Sequence, residues 1–128
     1  MPAWSAPVRY SECDPQGVVF NANYLVYADE ALVHVLARQG VSYRELEARG
    51  LDASLVASEV EWKSPARWGE VVDVDGTVER VGRTSFVMAF SIAVGDRLCC
   101  RLRTTYVLTD RDRTPTPVPD DIRALWTR

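Results

Sequence analysis

With 128 residues, 47% of them hydrophobic, the chain fits one globular domain over residues 1–128 with a real core, and its formal net charge of −3 argues against general nucleic-acid binding. No stretch is apolar for long enough to cross a bilayer, and the first residues lack the basic segment and apolar run of a secretory signal, so the expected location is the cytoplasm. Cys13, Cys99 and Cys100 have neither C-x-x-C spacing nor histidine partners, so they read as reduced thiols, with no disulfide framework and no metal site.

In chain order, Trp4 to Tyr10 suits a short strand that Pro2 and Pro7 make irregular or an edge. Ser11 to Glu30 then carries S-E-C-D-P-Q-G-V-V-F-N-A-N-Y-L-V-Y-A-D-E, the stretch on which the functional reading rests. Pro15 pushes Asp14 toward extended geometry and Gly17 permits a sharp turn, so Asp14 sits on a bend. Asn21 and Asn23 both suit an N-cap, and a helix is predicted over about residues 22–39, closed by Gly40. Glu30, His34 and Arg38 form one polar stripe four residues apart, while apolar residues cover most of the remaining circumference, so this helix must be wrapped by other elements. His34, the only histidine, reads as helix surface or interface.

Ser42 with Glu45 makes a capping-box pattern for a short second helix ending at Gly50. Beyond Leu51 the period changes to two. A strand is predicted from there to Ser64-Pro65, another over residues 72–79, a third over 84–94 and a fourth over 97–108, with Gly95-Asp96 as a tight reversal. The third places Phe86, Met88, Phe90, Ile92 and Val94 on one face and the smaller Ser85, Val87, Ala89, Ser91 and Ala93 on the other. Asp120 to Trp126 reads as a terminal helical turn. One long helix and an alternating set of strands point to an α+β domain in which an antiparallel sheet curls around a central helix.

The run D-P-Q-G-V-V-F-N-A-N-Y from Asp14 to Tyr24, S-P-A-R-W-G-E from Ser64 to Glu70 and G-R-T-S-F from Gly82 to Phe86 resemble the hot-dog-fold acyl-CoA thioesterases of the 4-hydroxybenzoyl-CoA thioesterase type. The resemblance covers nearly the whole chain, and its first motif is the diagnostic one. It implies hydrolysis of an acyl thioester carried on coenzyme A, or on an acyl carrier protein, with coenzyme A as part of the substrate and no metal or other cofactor. It makes Asp14 the catalytic carboxylate, as nucleophile or as general base, and Asn21 the residue whose backbone N–H polarises the thioester carbonyl. Gly17, Val19, Phe20, Asn23, Tyr24, Asp29, Arg67, Arg83 and Ser85 are implied to bind substrate, and Asp29 to face the polar end of the acyl group. It further implies a homodimer or homotetramer, with no nucleic-acid or membrane partner.

Simpler uses exist for the same residues. Asp before Pro-x-Gly commonly bonds its own backbone in a turn. Asn21 stands where many relatives carry His or Tyr, which leaves a non-catalytic acyl-CoA-binding module as the alternative. Asp29 lies on the apolar flank of the helix, so a partner for its carboxylate is predicted, from a tyrosine or the backbone. Arg67, Arg80, Arg83, Arg101 and Arg103 are the candidates for the phosphates of coenzyme A.

Overall fold

A computed structural model describes residues 1–128. Its strands are β1 (Trp4–Pro7), β2 (Asp52–Trp62), β3 (Val71–Val81), β4 (Ser85–Val94) and β5 (Arg97–Thr109), and its helices are α1 (Asn23–Arg38), α2 (Tyr43–Ala48) and α3 (Asp120–Trp126). The strands form one antiparallel sheet of order β1-β3-β4-β5-β2, so β1 and β2 are its edges. Pro7, which has no N–H to give a ladder, therefore falls on an edge strand.

Alternation decides the faces. Phe86, Met88, Phe90 and Ile92 of β4 are buried beside Val72 and Val74 of β3 and Leu102, Tyr106 and Leu108 of β5, and α1 lies on this face. The helix buries Tyr24, Tyr27, Ala28, Ala31, Leu32, Val35 and Leu36. The wrapping is one-sided, however: Val26 is 50% exposed and Val33, Asp29, Glu30 and His34 are also exposed, because one sheet can cover only one flank of a helix. Asp29 is thus an exposed carboxylate, not a buried one. It does have the expected partner, since the Tyr106 hydroxyl donates to its Oδ1 at 3.2 Å.

Both helix ends predicted from glycine form as expected. Gly40 has φ +98°, its N–H donates to the Ala37 carbonyl and that of Val41 to the Leu36 carbonyl, a Schellman ending; Gly50, with φ +73°, repeats the arrangement through Glu47 and Leu46. The start of α1 differs from expectation. Neither Asn21 nor Asn23 caps it: Ala22 holds the cap position in helical geometry, with φ −70° and ψ −21°, and no side chain accepts from the first turn. The side chain of Asn23 is instead drawn away, its Nδ2 donating to the Glu12 carbonyl at 2.8 Å.

Three register shifts also interrupt the regular alternation, at Leu55/Ala57, Val78/Arg80 and Ile92/Ala93. At the last, Cys99 is the extra residue in β5 between the Cys100 and Leu98 pairings, and both Cys99 and Cys100 are buried. α3 and the segment before it close the Ser85 end of the sheet. Trp126 packs on Phe86 at 4.6 Å between ring centres, and Val118 donates to the Arg83 carbonyl at 2.9 Å.

Candidate active site

A 3₁₀ turn at Tyr10–Glu12 leads into a tight hairpin. Phe20 N–H donates to the Glu12 carbonyl, Asp14 N–H to the Val18 carbonyl and Gly17 N–H to the Asp14 carbonyl, each at 2.9 Å, and Cys13 bridges Val19 across it. Gly17 turns the chain with φ +76°. Asp14 Oδ1 accepts from Gln16 N–H at 2.8 Å, the turn-forming bond that Asp commonly makes, while Oδ2 accepts from no protein group. One oxygen is thus committed to the loop and the other is free for chemistry.

The motif around Ser64 to Glu70 is the strap that holds this hairpin. Val19 N–H donates to the Ala66 carbonyl at 2.9 Å, Trp68 N–H to the Gly17 carbonyl at 3.1 Å, and Val18 bridges Arg67. Ala66 N–H in turn donates to the buried Tyr24 hydroxyl at 3.1 Å, so strap, hairpin and helix meet at one point. Burial pushes the Tyr24 hydroxyl up, leaving it neutral.

The helix start delivers donors. The N–H groups of Asn21 and Ala22 have no protein acceptor, and Trp62 Nε1 donates to the Asn21 carbonyl at 3.2 Å. Beside them lies a cavity of about 250 Å³ lined by Val18, Val19, Asn21, Tyr24, Trp62, Lys63, Ser64 and Pro65. Unpaired N–H groups at the positive end of a helix dipole favour negative charge nearby. Trp62 went unnoticed in the sequence because nothing local couples a strand tryptophan to a loop 41 residues earlier.

Glu12 is the second residue sequence reasoning missed. Its carboxylate accepts from Arg9 N–H at 2.8 Å, from the Arg9 guanidinium at 2.9 and 3.1 Å, and from the Tyr27 hydroxyl at 2.9 Å. Burial alone would push its carboxyl up, but these bonds outweigh it and hold Glu12 below the usual carboxylate range. Burial, and then the bond to Glu12, push Tyr27 up. Cys13, flanked by Glu12 and Asp14, is pushed up by burial and by both carboxylates, so it is no activated thiolate.

Of the residues implied to act, Asp14, Gly17, Val19, Phe20, Asn21, Asn23, Tyr24 and Arg67 gather at this end of the sheet. Arg83 and Ser85 do not: Ser85 starts β4 opposite Val107, near the far end of β5, whereas the strap meets β5 near its start through Lys63 N–H and the Cys99 carbonyl. Among the arginines, Arg103 is neutralised by a two-pronged pair with Glu79 at 2.8 Å, and Arg97, not among the candidates, binds Glu70 at 2.8 Å and so stiffens the strap. No group of three or more His, Cys, Asp and Glu side chains converges as a metal site would, and no helix is long and apolar enough to cross a membrane.

A five-stranded antiparallel sheet carrying one long helix on its face, with a hairpin delivered to the helix start, is the hot-dog fold. The chain belongs to the thioesterase-like superfamily, whose family model matches residues 8–125. It is 26% identical over 120 residues to a 1,4-dihydroxy-2-naphthoyl-CoA hydrolase of Thermosynechococcus vestitus, covering 91% of this chain and 82% of that one. It is also 26% identical over 84 residues to the acyl-CoA thioester hydrolase YbgC of Escherichia coli, a match spanning 66% of this chain and 63% of YbgC. The crystal structure of protein TT1821 from Thermus thermophilus superimposes with a TM-score of 0.89 at 28% identity, over 97% of this chain and 95% of that one.

Proposed function

We propose that the chain hydrolyses acyl thioesters of coenzyme A, with Asp14 as the reacting carboxylate and the helix-start N–H groups, Asn21 foremost, as donors to the oxyanion. The observation that carries this reading is the hairpin itself. It holds a carboxylate with one uncommitted oxygen on the same loop that runs into unpaired, dipole-assisted N–H groups. Membership of a thioesterase-like family supports the reaction class, and relatives named as acyl-CoA hydrolases support coenzyme A as the thiol.

The chemistry follows from that pairing. As the carbonyl carbon is attacked, its oxygen gains charge, and donors already aimed at it need no reorganisation. Acting as base, Asp14 takes a proton from water, whose oxygen forms the new acyl–oxygen bond as the carbon–sulfur bond breaks. That proton then serves the departing thiolate. Acting as nucleophile, Asp14 forms an anhydride that water opens, giving the same acid and thiol. An acyl carrier protein would change only how the thiol side is held.

The cavity beside Tyr24 and Trp62 suits the thioester end, and Arg67, whose backbone N–H donates to Glu70 at 2.7 Å while its guanidinium makes no ion pair, suits a phosphate. Arg83 and Ser85 can join such a site only from a second copy, which supports a homo-oligomer, at least a dimer. The test is release of free thiol from a panel of acyl-CoAs by the parent and by Asp14→Asn. The substitution keeps shape and turn propensity while removing both nucleophile and base, so turnover should fall by about 10²–10⁴-fold with folding retained. Near-parental turnover in the folded variant would defeat the assignment and favour an acyl-CoA-binding module or another base.

A further inference from the structure

Both side-chain hydrogen bonds that α1 sends to the hairpin end on one residue. Asn23 Nδ2 reaches the Glu12 carbonyl at 2.8 Å and the Tyr27 hydroxyl reaches Glu12 Oε1 at 2.9 Å. The Glu12 carbonyl also closes the hairpin by accepting from Phe20 N–H, and the Glu12 side chain, only 12% exposed, closes the preceding turn on Arg9. One residue, Cys13, separates Glu12 from Asp14 with its uncommitted oxygen, and Tyr27 lies about one and a half helical turns from the unpaired N–H groups.

We propose that Glu12 is the positioning residue of the site: through Tyr27 and Arg9 its carboxylate fixes the Asp14 hairpin against the start of α1. It touches no reacting atom. The free oxygen of Asp14 lies on the first arm of the hairpin and the N–H groups of Asn21 and Ala22 follow its second arm, and attack requires both pieces to be correctly placed about one carbonyl. Glu12 is where these pieces are joined by side chains. Tyr27 is well suited to transmit the constraint, because its ring is held in the core at 6.0 Å from both Trp4 and Tyr24, leaving the hydroxyl little freedom.

For its kinetic consequence the inference rests on the hydrolase reading above, so the experiment needs a readout that does not. Compare Tyr27→Phe, Glu12→Ala and Glu12→Gln with the parent, scoring kcat and KM per folded molecule and amide exchange of Asp14, Gly17 and Phe20 without substrate. Tyr27→Phe keeps the ring packing and removes only the tie. It should speed exchange at the three hairpin amides, leave the interior of α1 protected, and lower kcat by about 10-fold or more with KM little changed, since a displacement of about 1 Å is enough to cost about 10² in rate. Glu12→Ala should do the same more severely, and Glu12→Gln, which keeps an acceptor for Tyr27 and for Arg9 N–H, should recover much of the loss. Parental kcat and parental hairpin exchange in Tyr27→Phe would overturn the proposal. So would a uniform loss of protection with kcat per folded molecule unchanged, which is what a purely structural tie produces. If the parent releases no thiol from any acyl-CoA, the hydrolase reading fails by itself and hairpin exchange alone decides the role of Glu12.

Discussion

Glu12 offers a proton-linked measure of its own surroundings. Its folded-state carboxyl lies below the ordinary value of 4.5, so the unfolded chain takes up the proton first as pH falls. The stability Glu12 contributes is therefore complete above that value and is lost as pH drops through the folded one. The stability difference between parent and Glu12→Gln, followed by chemical denaturation, should narrow as pH falls below the ordinary value of 4.5. A constant gap would mean that the bonds from Arg9 and Tyr27 do not favour the ionised form. Asn21 calls for the opposite outcome. Its side chain caps nothing and its proposed contribution is a backbone N–H, so Asn21→Ala should stay within about 0.5 kcal/mol of the parent in stability and keep most of the turnover that Asp14→Asn loses.

At the scale of elements, β3 and β4 meet at a point where only glycine fits. A Cβ on Gly76 would lie 2.8 Å from Phe90 Cδ1 and 3.0 Å from the Ala89 carbonyl oxygen. Gly76→Ala should therefore destabilise the fold by about 1–3 kcal/mol, read from the denaturation midpoint; a neutral result would show that the Phe90 ring can withdraw. Periodicity located every long element, because Val72, Val74 and the large face of β4 alternate without ambiguity. The bulges escaped it, since one extra residue leaves the pattern intact on either side and only the partner strand reveals the shift. The start of α1 escaped for a related reason. Asn23 has excellent capping chemistry, but an acceptor 11 residues away competes for its amide, and intrinsic preference says nothing of such a rival.

Taken whole, the chain leaves apolar area uncovered along two elements. Edge strand β2 exposes Leu55, Val56 and Trp62, and α1 exposes Val26 and Val33 on the flank the sheet does not reach. An unpaired edge of 11 residues with such side chains invites pairing with another copy. Sedimentation at micromolar concentration should give at least twice the mass of one chain, and a clean monomer would rule out the proposed contribution of Arg83 and Ser85 from a second copy. The hairpin could be anticipated from Pro15 and Gly17 because turn chemistry is local. Glu12 and Trp62 could not, since their partners are fixed only when the helix and the strap have docked.

The arrangement of cysteines bears on how such a protein would be assayed. Cys99 and Cys100 are fully buried, and burial pushes the Cys100 thiol up to about 12, whereas Cys13 is only partly covered. A disulfide reagent that reports released coenzyme A should thus find at most one quickly reacting group per native chain and all three once the chain is unfolded. The same shielding keeps adjacent thiols out of exchange with the thiol product, so turnover should leave the protein free of mixed disulfides at Cys99 and Cys100.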